Sequence, residues 1–175
     1  MKRFKEFISE EMTYDDIKYE ALKFINLITT SSKLGTLPKK EVLSYLAKTK
    51  KQSEYNVFRG IRLFDLSVID KNEIENNMSI GSEVLGKFTR PNNGQAVIHT
   101  THDLSIAENY AECNQLSLVY QMTLNSDGVI FDSNGVLKIF DKSDLLPEDY
   151  DYFRTEKEVL VYPDADFTTK IISLT

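Results

Sequence analysis

The sequence predicts an α+β protein, a helical front lobe packed on a mixed, mostly antiparallel sheet. Three observations carry this prediction. Apolar stripes at helical spacing fill the first 50 residues. From Tyr55 onward, short apolar runs separated by turn residues replace them. In one of these runs, Leu116, Leu118, Tyr120, Met122 and Leu124 alternate with Ser117, Gln121 and Thr123, the period of a half-buried strand.

In chain order, Phe4, Phe7 and Ile8 fall on one helical face within residues 1–12. Thr13 followed by Asp16 is a helix start, because the hydroxyl caps free N–H groups and the acid favours the helix dipole. Ile17, Ala21, Phe24, Ile25 and Ile28 make the buried stripe, and Thr29 to Ser32 with Gly35 end the helix. Pro38 suits the first turn of a second helix carrying Val42, Leu43, Leu46 and Ala47. Residues 48–54 form a polar linker. Tyr55 to Phe58 is a short strand, residues 70–95 are loop-rich, and Ala96 to Thr101 is a strand. Leu104 to Glu112 is a short helix with Leu104, Ala107, Tyr110 and Ala111 inward. After the turn Ser126-Asp127-Gly128, strands are expected over 129–131, 136–140, 158–162 and 170–174.

At 175 residues the chain is long enough for one domain with a real core. Its net charge of −6 argues against nonspecific binding to nucleic acid, and Lys39-Lys40 and Lys48, Lys50 and Lys51 read as solvated surface. Cys113 is the only cysteine, so no intramolecular disulfide and no cysteine-rich metal site can form. His99 and His102 have no evident third ligand, and no metal is expected. No apolar run approaches a membrane span, and the first residues lack a secretory apolar core. The expectation is a soluble protein of a reducing or neutral setting, with no nucleic-acid or membrane partner.

Three motifs carry chemistry. The first is Phe58-Arg59-Gly60 at a strand end. The second is His99-Thr100-Thr101 leading into a helix over 103–111. The third is Glu156-Lys157-Glu158 before Val159-Leu160. On one strand, Glu156 and Glu158 would point to the same side and face one space. Taken singly, each has a plain structural explanation. Arg59 would bridge strands, the glutamates would guard a sheet edge, Thr100 and Thr101 are good strand residues, Tyr110 would be core, and His102 would lie at the surface. Together, and in this order, they point to a site.

In that order the motifs resemble those of mono-ADP-ribosyltransferases of the arginine–serine–glutamate class, which includes bacterial toxins and phage-encoded enzymes. The resemblance covers roughly residues 15–175. It implies a two-sheet core behind the helical lobe, and NAD as a substrate with no metal. Glu158 would hold the ribose 2′-hydroxyl and stabilise positive charge as the nicotinamide bond breaks. Arg59 would bind the diphosphate, and Gly60 would let the backbone meet the nicotinamide amide. The hydroxyls of Thr100 and Thr101 would keep the site in register, one of them orienting Glu158, and Tyr110 would stack on nicotinamide. Glu156 would bind an acceptor guanidinium and take its proton, which implies an arginine of a host protein as target. The acidic, aromatic loop 148–153 would suit a basic protein surface. His99 departs from the family, which has serine there; it keeps a hydrogen-bonding group but is larger. Arg62 and Arg90 are further cations that the sequence leaves unassigned.

Residues 1–10, Met-Lys-Arg-Phe-Lys-Glu-Phe-Ile-Ser-Glu, resemble the capsid-targeting peptide of T-even-type phage internal proteins, cut after Glu10. That implies a domain organisation of a cleavable 1–10 followed by one domain over 11–175, with a helical lobe to residue 50 and a sheet core from 51. It also implies location in the virion head and then in the host cytoplasm; separately, a monomer is expected. Two other functions fit the same residues: a non-enzymatic internal head protein that binds a host factor, and an NAD glycohydrolase with water as acceptor.

Overall fold

The computed structural model describes residues 12–31, 36–62, 97–112 and 117–174. The N-terminal peptide, the loop tract 70–95 with Arg90, and Cys113 lie outside the described residues.

Thr13 and Asp16 start α1 (Tyr14–Ser31) by a reciprocal cap. Asp16 Oδ2 accepts from the Thr13 N–H at 3.0 Å, and Thr13 Oγ1 accepts from the Asp16 N–H at 3.2 Å. Ala21, Phe24, Ile25 and Ile28 of α1 are buried against Val42, Tyr45 and Leu46 of α2 (Lys40–Leu46). Lys39 is the N-cap of α2, so Pro38 stands before the helix rather than in its first turn. The expected linker begins as a 3₁₀ turn, Ala47–Thr49, and its Thr49 is fully buried. The Thr49 hydroxyl donates to the Leu46 carbonyl and accepts from the Asp132 N–H.

The remaining elements are β1 (Glu54–Arg62), β2 (Ile98–Thr101), α3 (Leu104–Ala111), β3 (Ser117–Asn125), β4 (Val129–Asp132), α4 (Ser133–Ile139), α5 (Pro147–Glu156), β5 (Glu158–Val161) and β6 (Phe167–Leu174). Two of these correct the sequence expectation. Residues 136–140 are not a strand. Asp132 accepts from the Asn134 N–H at 2.9 Å and caps α4, and Gly135 lets that helix meet the Thr49 backbone. The tract 148–153 is not a loop. Pro147 starts α5, with Glu148 and Asp149 in its first turn.

The protein is α+β, with five α-helices and one six-stranded sheet among the described residues. The strand order is β4-β5-β2-β1-β3-β6, and every pairing is antiparallel, so the expected mixed sheet is not seen. The two-sheet division is also absent from the hydrogen bonding. The narrowest junction of the one sheet is a seam between β1 and β2, which share the single register pair Phe58↔Thr101 among the described residues. The flanking ladders are longer, with β1 and β3 in register from Glu54↔Asn125 to Arg62↔Ser117.

Apolar side chains fill three places. One core joins α1 and α2 to Phe131, Val136, Phe153 and Leu160. A second takes Ile98, Val129, Val159 and Val161 from one half of the sheet and Tyr55, Val57, Tyr120 and Met122 from the other. The third seats Ala107 and Ala111 of α3 on Val119. Helix α3 thus lies against β1 beside the seam.

Candidate active site

One cleft of about 270 Å³ is lined by residues of all three motifs. Arg59 and Gly60 come from β1, His99, Thr100 and Thr101 from β2, Tyr110 from α3, Glu156 from the end of α5, and Glu158 from β5. The register pairs Phe58↔Thr101 and Thr101↔Glu158 bring them together.

The two glutamates reach the cleft by a route other than a shared strand. Glu156 ends α5, Lys157 turns left-handed at φ 45° and ψ 42°, and Glu158 opens β5. A left-handed residue at a helix C-terminus is a common way to stop it. Thr101 Oγ1 donates to the Glu156 carbonyl at 2.7 Å, which satisfies one of the carbonyls freed at that helix end. Thr100 Oγ1 donates to the Val159 carbonyl at 2.7 Å. Both hydroxyls thus fix backbone, and neither bonds the Glu158 carboxylate as expected.

His99 and Tyr152 take that part. Glu158 is 4% exposed. Its Oε1 lies 2.5 Å from His99 Nδ1 and accepts from the Tyr152 hydroxyl at 3.2 Å. Its Oε2 is buried without a hydrogen-bond partner among the described residues. Arg59 Nη1 donates to the His99 carbonyl at 3.0 Å, whereas Arg59 Nε is buried and unpartnered among the described residues. Among the described residues, two that line the cleft thus each carry a buried polar atom without a partner, Arg59 Nε and Glu158 Oε2. Buried polar groups are nearly always paired, so each such orphan calls for an explanation.

Tyr110 is 54% exposed rather than inward, and its hydroxyl donates to Glu156 Oε2 at 2.9 Å. Burial of the hydroxyl and the bond to Glu156 push its pKa up to about 12. Gly60 has a structural reason that the motif did not suggest. A Cβ there would lie 1.9 Å from the Ala107 carbonyl oxygen, so α3 occupies the space a side chain would need. His102 is not a surface residue. Its side chain is 17% exposed, its Nε2 is 3.1 Å from Asp132 Oδ1, and its backbone N–H donates to the Lys157 carbonyl.

A second link ties the two motif loops. Lys157 Nζ lies 2.7 Å from Asp103 Oδ2, and Asp103 caps α3 through the Ser105 N–H. Lys157, then Ser105, hold the Asp103 carboxyl down to about 2. A lowered carboxylate pKa stabilises the fold above the unfolded pKa, and that contribution disappears as pH falls through the folded one. The Asp103 contribution is thus complete at neutral pH and is lost between about pH 4 and pH 2. Urea denaturation of Asp103→Asn against pH should show a smaller loss of stability over that interval than wild type.

The motifs pointed to Arg59, His99 and Glu158 but not to Tyr152. Its signal lay in Pro147 as a helix start, which puts Tyr152 and Glu156 one turn apart on one face. Among the described residues no group of three or more His, Cys, Asp or Glu is placed to hold a metal, and no helix is long and apolar enough to cross a membrane. No protein-family model, no curated protein and no solved structure matches the chain.

Proposed function

We propose that the protein transfers ADP-ribose from NAD to an arginine of a host protein and releases nicotinamide. The observation that carries this is that two residues lining one cleft, Arg59 and Glu158, each hold a buried atom without a partner among the described residues, Nε and Oε2. A dinucleotide offers both complements, an anionic diphosphate for the guanidinium and a ribose hydroxyl for the carboxylate. On this reading the bond between ribose C1′ and nicotinamide breaks, and nicotinamide leaves with the bonding electrons. Glu158 steadies the resulting sugar cation. An acceptor guanidinium nitrogen bonds to C1′ and gives up a proton to Glu156, since a guanidinium with pKa above about 12 is otherwise a poor nucleophile. The acidic first turn of α5, one helix length from Glu156, favours a basic acceptor surface. The two three-stranded halves of the sheet then correspond to the two sheets of the transferase core, and packaging through residues 1–10 belongs to the same proposal.

The runner-up, a non-enzymatic internal head protein that binds a host factor, draws on His99. The ring sits directly on Glu158, where the family has a smaller serine. Labelled NAD and host lysate separate these functions. Wild type is expected to release nicotinamide and label protein bands. Glu156→Gln should abolish the bands yet keep nicotinamide release within about fivefold, with water as acceptor. Label-free lysate with free ADP-ribose from wild type would point to the glycohydrolase instead, and no NAD turnover at all would remove both enzymes.

A further inference from the structure

We propose that Tyr152 is a positioning residue for Glu158: from α5 it holds Oε1 opposite His99 and leaves Oε2 as the oxygen presented to the sugar. The inference rests on the transferase reading and deepens it. Two donors converge on one carboxylate oxygen, His99 Nδ1 at 2.5 Å and the Tyr152 hydroxyl at 3.2 Å. Together they fix the carboxylate rotation, which a single bond would leave free. The other oxygen is buried and has no partner among the described residues, so it is the acceptor left over for an incoming hydroxyl.

Tyr152 is built to stay in place. Its ring packs edge-on against Phe153 at 5.7 Å, and Phe153 is buried edge-on to Phe131 at 6.1 Å. Burial, then the nearby Glu158 charge, raise the phenol pKa above its ordinary value, so the hydroxyl remains a donor throughout the neutral range. Its place on the helix adds a consequence. Tyr152 and Glu156 lie four residues apart on one face of α5. The helix that shows Glu156 to the acceptor therefore also steadies the carboxylate beneath the ribose. A host protein docking on α5 presses on both halves of the reaction through one element.

Steady-state NAD turnover by the full chain tests this, with melting temperature followed in parallel. Tyr152→Phe should lower kcat about tenfold, the loss of one hydrogen bond to a charged group, with KM for NAD unchanged within about twofold. His99→Ala should lower kcat likewise, and His99→Asn, which keeps a donor near Nδ1, should recover most of it. Wild-type kcat in Tyr152→Phe, a loss confined to KM, or His99→Asn no better than His99→Ala would overturn the proposal. A readout free of turnover accompanies these: the hydroxyl-proton resonance of Tyr152, followed by NMR at neutral pH. Glu158→Gln should move it upfield, because a neutral amide oxygen replaces the carboxylate that accepts from it. A wild-type chain that releases no nicotinamide counts against the transferase reading. The resonance then judges the contact alone, and a hydroxyl proton unmoved in Glu158→Gln overturns the hold on Oε1.

Discussion

Glu158→Gln is expected to lower nicotinamide release by about 10²–10³-fold while leaving the fold intact, the scale seen when a preorganised electrostatic group is removed from a transition state. The reasoning starts from burial. Glu158 is 4% exposed on the rung opposite Thr101, so its carboxylate acts where water does not screen it. Glutamine keeps the volume and an oxygen for the His99 and Tyr152 donors, and so changes charge with little change in packing. Single-turnover nicotinamide release checks the rate, and a urea melt checks the fold. A variant within threefold of wild type would show that the carboxylate steadies no sugar cation.

Gly60→Ala is expected to destabilise the protein by about 3 kcal/mol or more, the upper range for overpacking. The added Cβ would lie 1.9 Å from the Ala107 carbonyl oxygen and 2.8 Å from the Ala111 nitrogen. Both neighbours are helix backbone, which cannot swing aside as a side-chain tip can. Relief would require α3 to lift off β1, and this would expose Ala107, Ala111 and Val119. The variant also separates two roles for this glycine. If its purpose were only to admit a ligand, stability would hold and NAD affinity alone would fall. Equilibrium urea denaturation decides, and for a chain of this size the melting temperature should fall by roughly 6–12 °C.

Much of the architecture was legible where one period dominates. The α1 stripe, the Thr13–Asp16 start, the span of α3 and the alternation of β3 from Tyr120 onward follow from spacing alone, whereas Val119 is buried on the other face beneath α3. Helix α4 was not legible, because Val136, Leu137, Ile139 and Phe140 form a short apolar cluster that suits either element. What decides it is the Asp132 cap and the Gly135 contact with Thr49, the latter 86 positions away in the chain. The acidic doublet misled for a related reason. Alternation at Glu156 and Glu158 looks like a strand, yet Lys157 breaks the backbone between them in a conformation seldom taken by lysine. At the site, the motifs named the side chains that converge. They did not name Tyr152, whose partner lies across a helix end, nor did they show that the threonine hydroxyls serve the backbone.

That left-handed lysine sets up a gradient of stiffness. Glu156 is rooted in a final helical turn, where backbone bonds are fewest and fraying begins. Glu158, two positions later, opens a strand with neighbours on both sides and is itself paired to Thr101. On the transferase reading, the acid offered to the acceptor stands where backbone ties are fewer, and the one offered to the sugar stands where they are many. On that reading, tolerance at the acceptor and exactness at the nucleotide would come from opposite sides of one residue, Lys157.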